Sequence, residues 1–202
     1  MSDSSKPGSE TLTEQAYEQM RDGRIEEAVE TFSASIAITP REPNTLRGRG
    51  LAYAQLKQWS SAAADFEAAK TLAPDVADNW VDLGMSLAMD HQMYPAIDVL
   101  EALLARQPEY VRGHLELGRL HITLGAITKG RQQLQKALTC RPTLSERHLI
   151  ESVLQEQTRL DRKRLYRPDF GALHQQRVGR GVHWMQRFRA LFKRTRKDST
   201  QV

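Results

Sequence analysis

The sequence predicts an all-α fold: a solenoid of four 34-residue helix-turn-helix units, closed by a C-terminal capping helix and followed by a basic tail. Three observations predict it. Pro40, Pro74, Pro108 and Pro142 recur at a spacing of 34 residues. Counting back from each proline, one small position reads Ala16, Gly50, Gly84 and Gly118, and a second, twelve residues on, reads Ala28, Ala62, Ala96 and Gly130. Four residues after that come Phe32, Phe66, Leu100 and Leu134. A period of this length marks arrays in which each unit buries its apolar face against its neighbours rather than alone.

Within a unit, two antiparallel helices must cross closely. Glycine costs roughly 0.8–1.0 kcal/mol relative to alanine inside a helix, so Gly84 implies a second backbone lying against it. Ala96 supplies the matching small position, and Trp80 and Leu100 fill the space on either side. The first helices are predicted at 10–22, 43–56, 77–90 and 111–124, the second at 25–38, 59–72, 93–106 and 127–140. Thr11-Leu12-Thr13-Glu14 has capping-box spacing and is the predicted start of the first helix. Each proline stops the second helix of its unit, because it lacks the amide donor and clashes with the preceding turn. Residues 145–165 keep apolar residues at Leu149, Val153, Leu154 and Leu160 among Glu, Gln, Arg and Lys, the pattern of a helix that covers an open end. The expected organisation is a disordered N-terminus over 1–9, the array with its capping helix over 10–165, and a tail over 166–202.

Composition narrows the function class. Of 202 residues 40% are hydrophobic, enough for a core, and the formal net charge is +4. That charge is unevenly divided: residues 1–158 hold 16 Lys and Arg against 22 Asp and Glu, whereas 159–202 hold 13 against 3. A single cysteine, Cys140, excludes an internal disulfide and a thiolate metal site. No apolar core of a translocation signal opens the chain and no run of about 18 apolar residues follows, so the expected location is cytoplasmic, peripheral to a membrane where the tail meets one. His114 and His121 are seven residues apart on one predicted helix, roughly 10.5 Å along its axis, too far for a shared metal ion. They occupy the slots of Trp80 and Leu87 and are read as packing histidines, and Cys140, in the slot of Ile38 and Leu72, as a small half-buried hydrophobe. No phosphate-binding loop, nucleophile elbow, acid pair, cofactor motif or metal-ligand set stands out, and the expectation is a protein that is not an enzyme.

The third copy, Trp80, Leu83, Gly84, Ala96 and Pro108, and the second, Gly50, Tyr53, Ala62, Phe66 and Pro74, resemble the tetratricopeptide repeat, with its Trp-x2-Leu-Gly-x2-Tyr, Ala-x3-Phe and Pro positions. The resemblance implies a concave groove lined by the first helix of each unit, which takes an extended peptide or a partner helix. The family's groove positions fall here on Thr13, Tyr17 and Met20; on Asn44, Arg47 and Leu51; on Asp78, Asp82, Met85 and Met89; and on Arg112, Glu116, Arg119 and Ile122. Met85 with Met89 would give an adaptable apolar floor. Chaperone-binding members hold a carboxylate with two lysines, two asparagines and an arginine. The corresponding positions here are Thr13, Tyr17, Gly48, Asp78 and Asp82, or one copy later Arg47, Leu51, Asp82, Arg112 and Glu116, and neither set carries the clamp.

The tail reads differently. Over 182–195 a basic amphipathic helix is expected: at 100° per residue Trp184, Met185, Phe188, Leu191 and Phe192 share an arc of about 120°, with Arg187, Arg189 and Arg194 on its flanks and Lys193 opposite. Such a segment suits an acidic partner protein or an anionic membrane surface. Nucleic-acid contact through the tail is the alternative function, ranked lower because the aromatics, although interleaved with arginines, fall on one face, which suits insertion or groove docking better than base stacking. The functional expectation is a non-catalytic scaffold or adaptor with a protein or peptide ligand in the groove and a second contact through the tail. Limited proteolysis is expected to cut first between about 166 and 182, where glycines and a proline interrupt the helical pattern, leaving a folded fragment of residues 1–165. Survival of a fragment that keeps 182–197 through a protected linker would contradict that division.

Overall fold

In the computed structural model, residues 6–165 are described, with side chains over 8–161. Among them run α1 (Lys6–Arg21), α2 (Ile25–Ile38), α3 (Pro43–Gln55), α4 (Trp59–Leu72), α5 (Ala77–Met89), α6 (Met93–Arg106), α7 (Val111–Thr123), α8 (Ile127–Thr139) and α9 (Leu144–Leu165). Helices α1/α2, α3/α4, α5/α6 and α7/α8 pack as antiparallel pairs, and each pair stacks on the next through its second helix. The predicted eight-helix array is present with ends shifted by a residue or so, except at its start. There α1 begins at Lys6, so residues 6–9 belong to the helix rather than to a disordered N-terminus. Residues 1–5 lie outside the described residues. Ser9 is buried and its carbonyl accepts the Ser35 hydroxyl at 2.9 Å, which ties this first turn to α2.

The capping box sits elsewhere than expected. Thr11 lies inside α1, its hydroxyl donating to the Gly8 carbonyl. The same spacing recurs as Thr143-Leu144-Ser145-Glu146, and there it starts α9: the Glu146 amide donates to the Thr143 hydroxyl at 3.3 Å, and the Glu146 carboxylate accepts the Thr143 amide at 2.8 Å. Ile150 of α9 is fully buried with Leu115, Leu134 and Ala137, and Val153 and Leu154 pack beside it. The chain divides into two units, Met1–Leu154 and Gln155–Val202, so the boundary falls inside α9 rather than after residue 165. The predicted boundary lies at the end of the helical pattern, before the proline and glycines that interrupt it, whereas the apolar residues that join the core of the first unit end at Leu154.

Each pair of helices turns at the same repeat position. Gly23, Lys57, His91 and Gly125 all adopt a left-handed backbone, at φ of 80, 59, 64 and 81°. The amide after each reaches back five residues, Gln58 to Tyr53 and Gln92 to Leu87 for example, which satisfies carbonyls left open at the helix end. Glycine adopts this geometry freely, while Lys57 and His91 hold it at some cost.

The crossings explain the small residues. A methyl group added at Gly84 would lie 3.0 Å from Leu100 Cγ, and one at Gly50 2.8 Å from the Phe66 ring. The fourth unit has glycine at both positions and crosses tighter: a methyl at Gly130 would meet the Gly118 carbonyl oxygen at 2.7 Å and Ile122 Cγ1 at 2.5 Å. Backbone cannot step aside as a side chain can. Alanine would ordinarily favour a helix over glycine by about 1 kcal/mol, yet Gly130→Ala is expected to destabilise the array by roughly 1–3 kcal/mol through overpacking. Urea unfolding followed by circular dichroism measures this, and a stabilised variant would show that the α7–α8 crossing has room to spare.

Candidate functional site

The face formed by the first helices, α1, α3, α5 and α7, carries most of the predicted groove residues, but its charged members are turned toward one another. Arg47 of α3 reaches across to α5, where its Nε and Nη2 lie 2.9 and 2.8 Å from one oxygen of Asp82. Arg112 of α7 meets the other Asp82 oxygen at 3.0 Å and donates to Asp78 at 2.9 Å. Tyr110, in the turn before α7, donates its hydroxyl to the same Asp78 oxygen at 2.6 Å. Three helices are thus bridged by two carboxylates and two guanidiniums. The side chain of Asp82 is only 5% exposed, against 29% and 37% for Arg47 and Arg112. A carboxylate this deep needs its two cations, so Asp82 is an internal counter-charge rather than the open groove acid that the family resemblance implies.

The electrostatics follow from that geometry. Burial pushes the Asp78 carboxyl up, but the Tyr110 hydroxyl, Arg47 and Arg112 outweigh it and hold the group below its ordinary value. Its contribution to stability is therefore present above the ordinary carboxylate range and is lost as pH falls through the depressed value, below about pH 4. Burial, then the bond to Asp78, pushes the Tyr110 hydroxyl upward, so it stays a donor at any physiological pH. Glu116 is displaced the other way: burial raises it, incompletely offset by Arg119 and Arg112. It pairs with Arg119 at 3.3 Å, with Arg119 half exposed and Glu116 nearly covered.

Two hollows flank the ion network. Where α5, α6 and α7 meet, Met85, Ala88, Met89, Met93, Leu100 and Leu120 line an apolar hollow of about 200 Å³, rimmed by Glu116, Arg119 and Thr123. Met89 is 53% exposed and forms an open lip. Between α1 and α3 lies a polar hollow of about 490 Å³, lined among others by Glu10, Thr13, Glu14, Tyr17, Glu42 and Arg47. Tyr17 packs edge-on against Phe32, ring centres 5.1 Å apart, and its hydroxyl donates to the Asn44 carbonyl, so it forms a fixed wall. Two predicted groove residues turn inward instead. Leu51 is half-buried against the cluster of Ala62, Phe66 and Leu83, and Ile122 packs into the α7–α8 crossing, where glycine at 130 leaves it room. The tail residues Trp184, Arg187, Phe188, Arg189, Leu191, Phe192, Lys193 and Arg194 lie outside the described residues.

Sequence reasoning missed two polar devices. Tyr110 precedes its helix and sits on no repeat face, so nothing in the period marked it. Arg49 fills the slot that holds Leu83 and Leu117, and Asp65, buried on α4, takes both arms of its guanidinium at 2.7 and 2.8 Å. A charged residue in an apolar slot was the available signal for that pair. His114 and His121 are buried, as the packing reading expects, and His114 Nε2 donates to the Pro108 carbonyl at 2.8 Å. No described helix is long and apolar enough to cross a membrane. Replacing Asp82 by Asn would leave Arg47 and Arg112 facing each other with half the compensating charge. Both cations are partly solvated, so the expected loss is about 1–3 kcal/mol, below that of a fully buried pair. Urea unfolding checks this, and an unchanged midpoint would mean the network carries no stability.

Comparison with known proteins places this geometry. Two tetratricopeptide-repeat profiles match, one over residues 15–81 and one over 96–145. A curated relative, cellulose synthase 1 operon protein C of Komagataeibacter xylinus, is 28% identical over 149 residues, a match that covers 67% of this chain and only 11% of that protein. This chain therefore spans a small part of that protein's length. Among solved structures, the thermophilic tetratricopeptide-repeat protein TTC0263 of Thermus thermophilus superposes with a TM-score of 0.63 at 18% identity, covering 76% of this chain and 84% of that one. The first such domain of Spaghetti (RPAP3), bound to the HSP90 peptide SRMEEVD, superposes with a TM-score of 0.54 at 20% identity, covering 58% of this chain and 93% of that one. With two profiles matched along the array, and with the paired helices and small-residue crossings those repeats require, the chain belongs to the tetratricopeptide-repeat family.

Proposed function

We propose that this protein is a non-catalytic adaptor that holds a peptide or a partner helix on the first-helix face of its repeats. The carrying observation is the methionine hollow where α5, α6 and α7 meet: an open apolar recess beside a carboxylate and a half-exposed guanidinium. Methionine is flexible and polarisable, so Met85 and Met89 can close around apolar side chains of different shapes. Glu116 and Arg119 at the rim offer hydrogen bonds that orient the incoming backbone or its polar residues. At the other end of the face Glu10, Glu14 and Glu42 outnumber Arg47, which favours a ligand with a basic group there.

The polarity differs from a face that receives acidic peptide ends. One structural neighbour is bound to a peptide ending in Glu-Val-Asp, whereas the first-helix face of this chain carries Asp78 and Asp82 with their cations already engaged. An incoming carboxylate would have to displace those bonds. The ligand class that fits is an apolar anchor followed by basic residues. The segment 182–202, with apolar and basic residues on separate faces in its sequence, offers a second contact for an acidic partner or an anionic membrane surface.

Met85→Glu together with Arg119→Glu should abolish capture of the proteins that the wild-type chain retains from its native extract, with helicity by circular dichroism unchanged. Met85 lines the recess and is half-buried beside the Leu100 cluster, so unchanged helicity of the double variant is a required part of the test. Retention of the same proteins by the folded double variant would overturn this reading.

A further inference from the structure

The fourth unit lacks something the third contains. In the third, Trp80 donates its indole N–H to the Pro74 carbonyl at 2.9 Å, and two cations stand over its ring: Lys70 at 4.9 Å and Arg106 at 5.9 Å from the centroid. Each cation is held by an acid, Lys70 by Glu67 at 2.8 Å and Arg106 by Asp75 at 3.1 Å. Moving 34 residues along the chain turns this set into His114, Pro108, Leu104, Cys140, Glu101 and Glu109. His114 keeps the bond, its Nε2 lying 2.8 Å from the Pro108 carbonyl oxygen, but an imidazole is only the five-membered half of an indole. The benzene half of the ring and both long cationic side chains are gone.

A cavity of about 760 Å³ occupies that place, and Glu101, Leu104, Pro108, Glu109, His114 and Cys140 all line it. The two acids remain there without the cations that their counterparts hold in the third unit. Lys136 and Arg141, which also line the cavity, do not replace them: among the described residues no ion pair joins either to Glu101 or Glu109. Their position, at the C-terminal end of α8, is where the helix dipole favours a positive charge on its own account. Leu104 and Leu117 supply an apolar floor.

We propose that this cavity is a second binding site, separate from the first-helix face, for a partner segment that presents an aromatic side chain with basic residues beside it. The ring would enter over His114 and Leu104, in the position the third unit fills with its own indole. The flanking cations would pair with Glu101 and Glu109, as Lys70 and Arg106 pair with Glu67 and Asp75. The third unit thereby shows, within the same chain, the chemistry that completes this space.

The probe is the capped peptide acetyl-Arg-Trp-Arg-amide, titrated into the full-length ¹⁵N-labelled chain and followed by amide shifts. Saturable shifts confined to residues around 104, 109, 114, 133 and 140 are expected. Glu101→Gln with Glu109→Gln should weaken binding roughly fivefold, the range of two exposed ion pairs. His114→Trp with Cys140→Arg would supply the ring and one cation from within and should abolish binding. Should that variant fail to fold, the paired glutamine variant decides. No saturable shift, shifts centred on Met85 and Arg119, equal binding of acetyl-Arg-Ala-Arg-amide, or undiminished binding to the glutamine variant would each overturn the proposal.

Discussion

The close crossing of two helices within each unit is the constraint on which the rest of the structure depends. At Gly84 an added methyl would press on Leu100, and at Gly118 and Gly130 the backbones themselves approach until such a methyl would collide. That proximity lets one large residue per unit, Phe32, Phe66, Leu100 or Leu134, close the core almost without exposed area. It also sets the rotation of each helix about its axis, since the glycine must face its partner. With the rotation set, the residues one turn away are obliged to face outward along the first-helix side. The candidate binding face is thus a by-product of the crossing, and its residues stand in a row because the crossings repeat.

What that row contains is not repetitive. Positions separated by 34 residues read Asn44, Asp78 and Arg112, or Gly48, Asp82 and Glu116. Their charges change from unit to unit, and the change lets neighbouring units bridge: Asp82 sits between Arg47 and Arg112, and Asp78 between Arg112 and Tyr110. A bridged pair is poor at recognising a third charge, because recognition would break the bonds already made. Specificity therefore moves to the places the network leaves open, the methionine recess at one end and the acid-lined hollow at the other. The same reasoning separates units on their other side. Where Trp80 and its two cations complete the space, the surface is closed, and where His114 replaces the ring it is open.

Several local signals were legible only in part. Thr11 and Thr143 head identical Thr-x-x-Glu spacings, yet only the second caps a helix. A capping box requires its threonine to stand outside the helix, and α1 extends five residues further back because Ser9 has a buried partner in Ser35. The turn residues are comparable. Gly23 and Gly125 advertise a left-handed turn, whereas Lys57 and His91 adopt the same backbone without any sign in their residue type, because the pairs on either side over-determine it. Arg49 breaks the apolar period, and the two-armed bond from Asp65 is what makes the break tolerable.

By itself the sequence determined the period, the helix pairs and the small positions at their crossings, and its resemblance to the repeat family supplied the list of residues on the first-helix face. The period, the pairs and the small positions follow from spacing, because helix geometry converts a separation in residues into a shared side of a cylinder. Tertiary structure alone decided which of those residues are free. Asp82, Leu51 and Ile122 occupy face positions by count but are consumed by Arg47 and Arg112, by the Phe66 cluster and by the α7–α8 crossing. Whether a side chain points to solvent or to a partner depends on what the next unit offers within a few ångströms. That offer comes from residues some 30 positions away whose reach and charge no periodicity encodes.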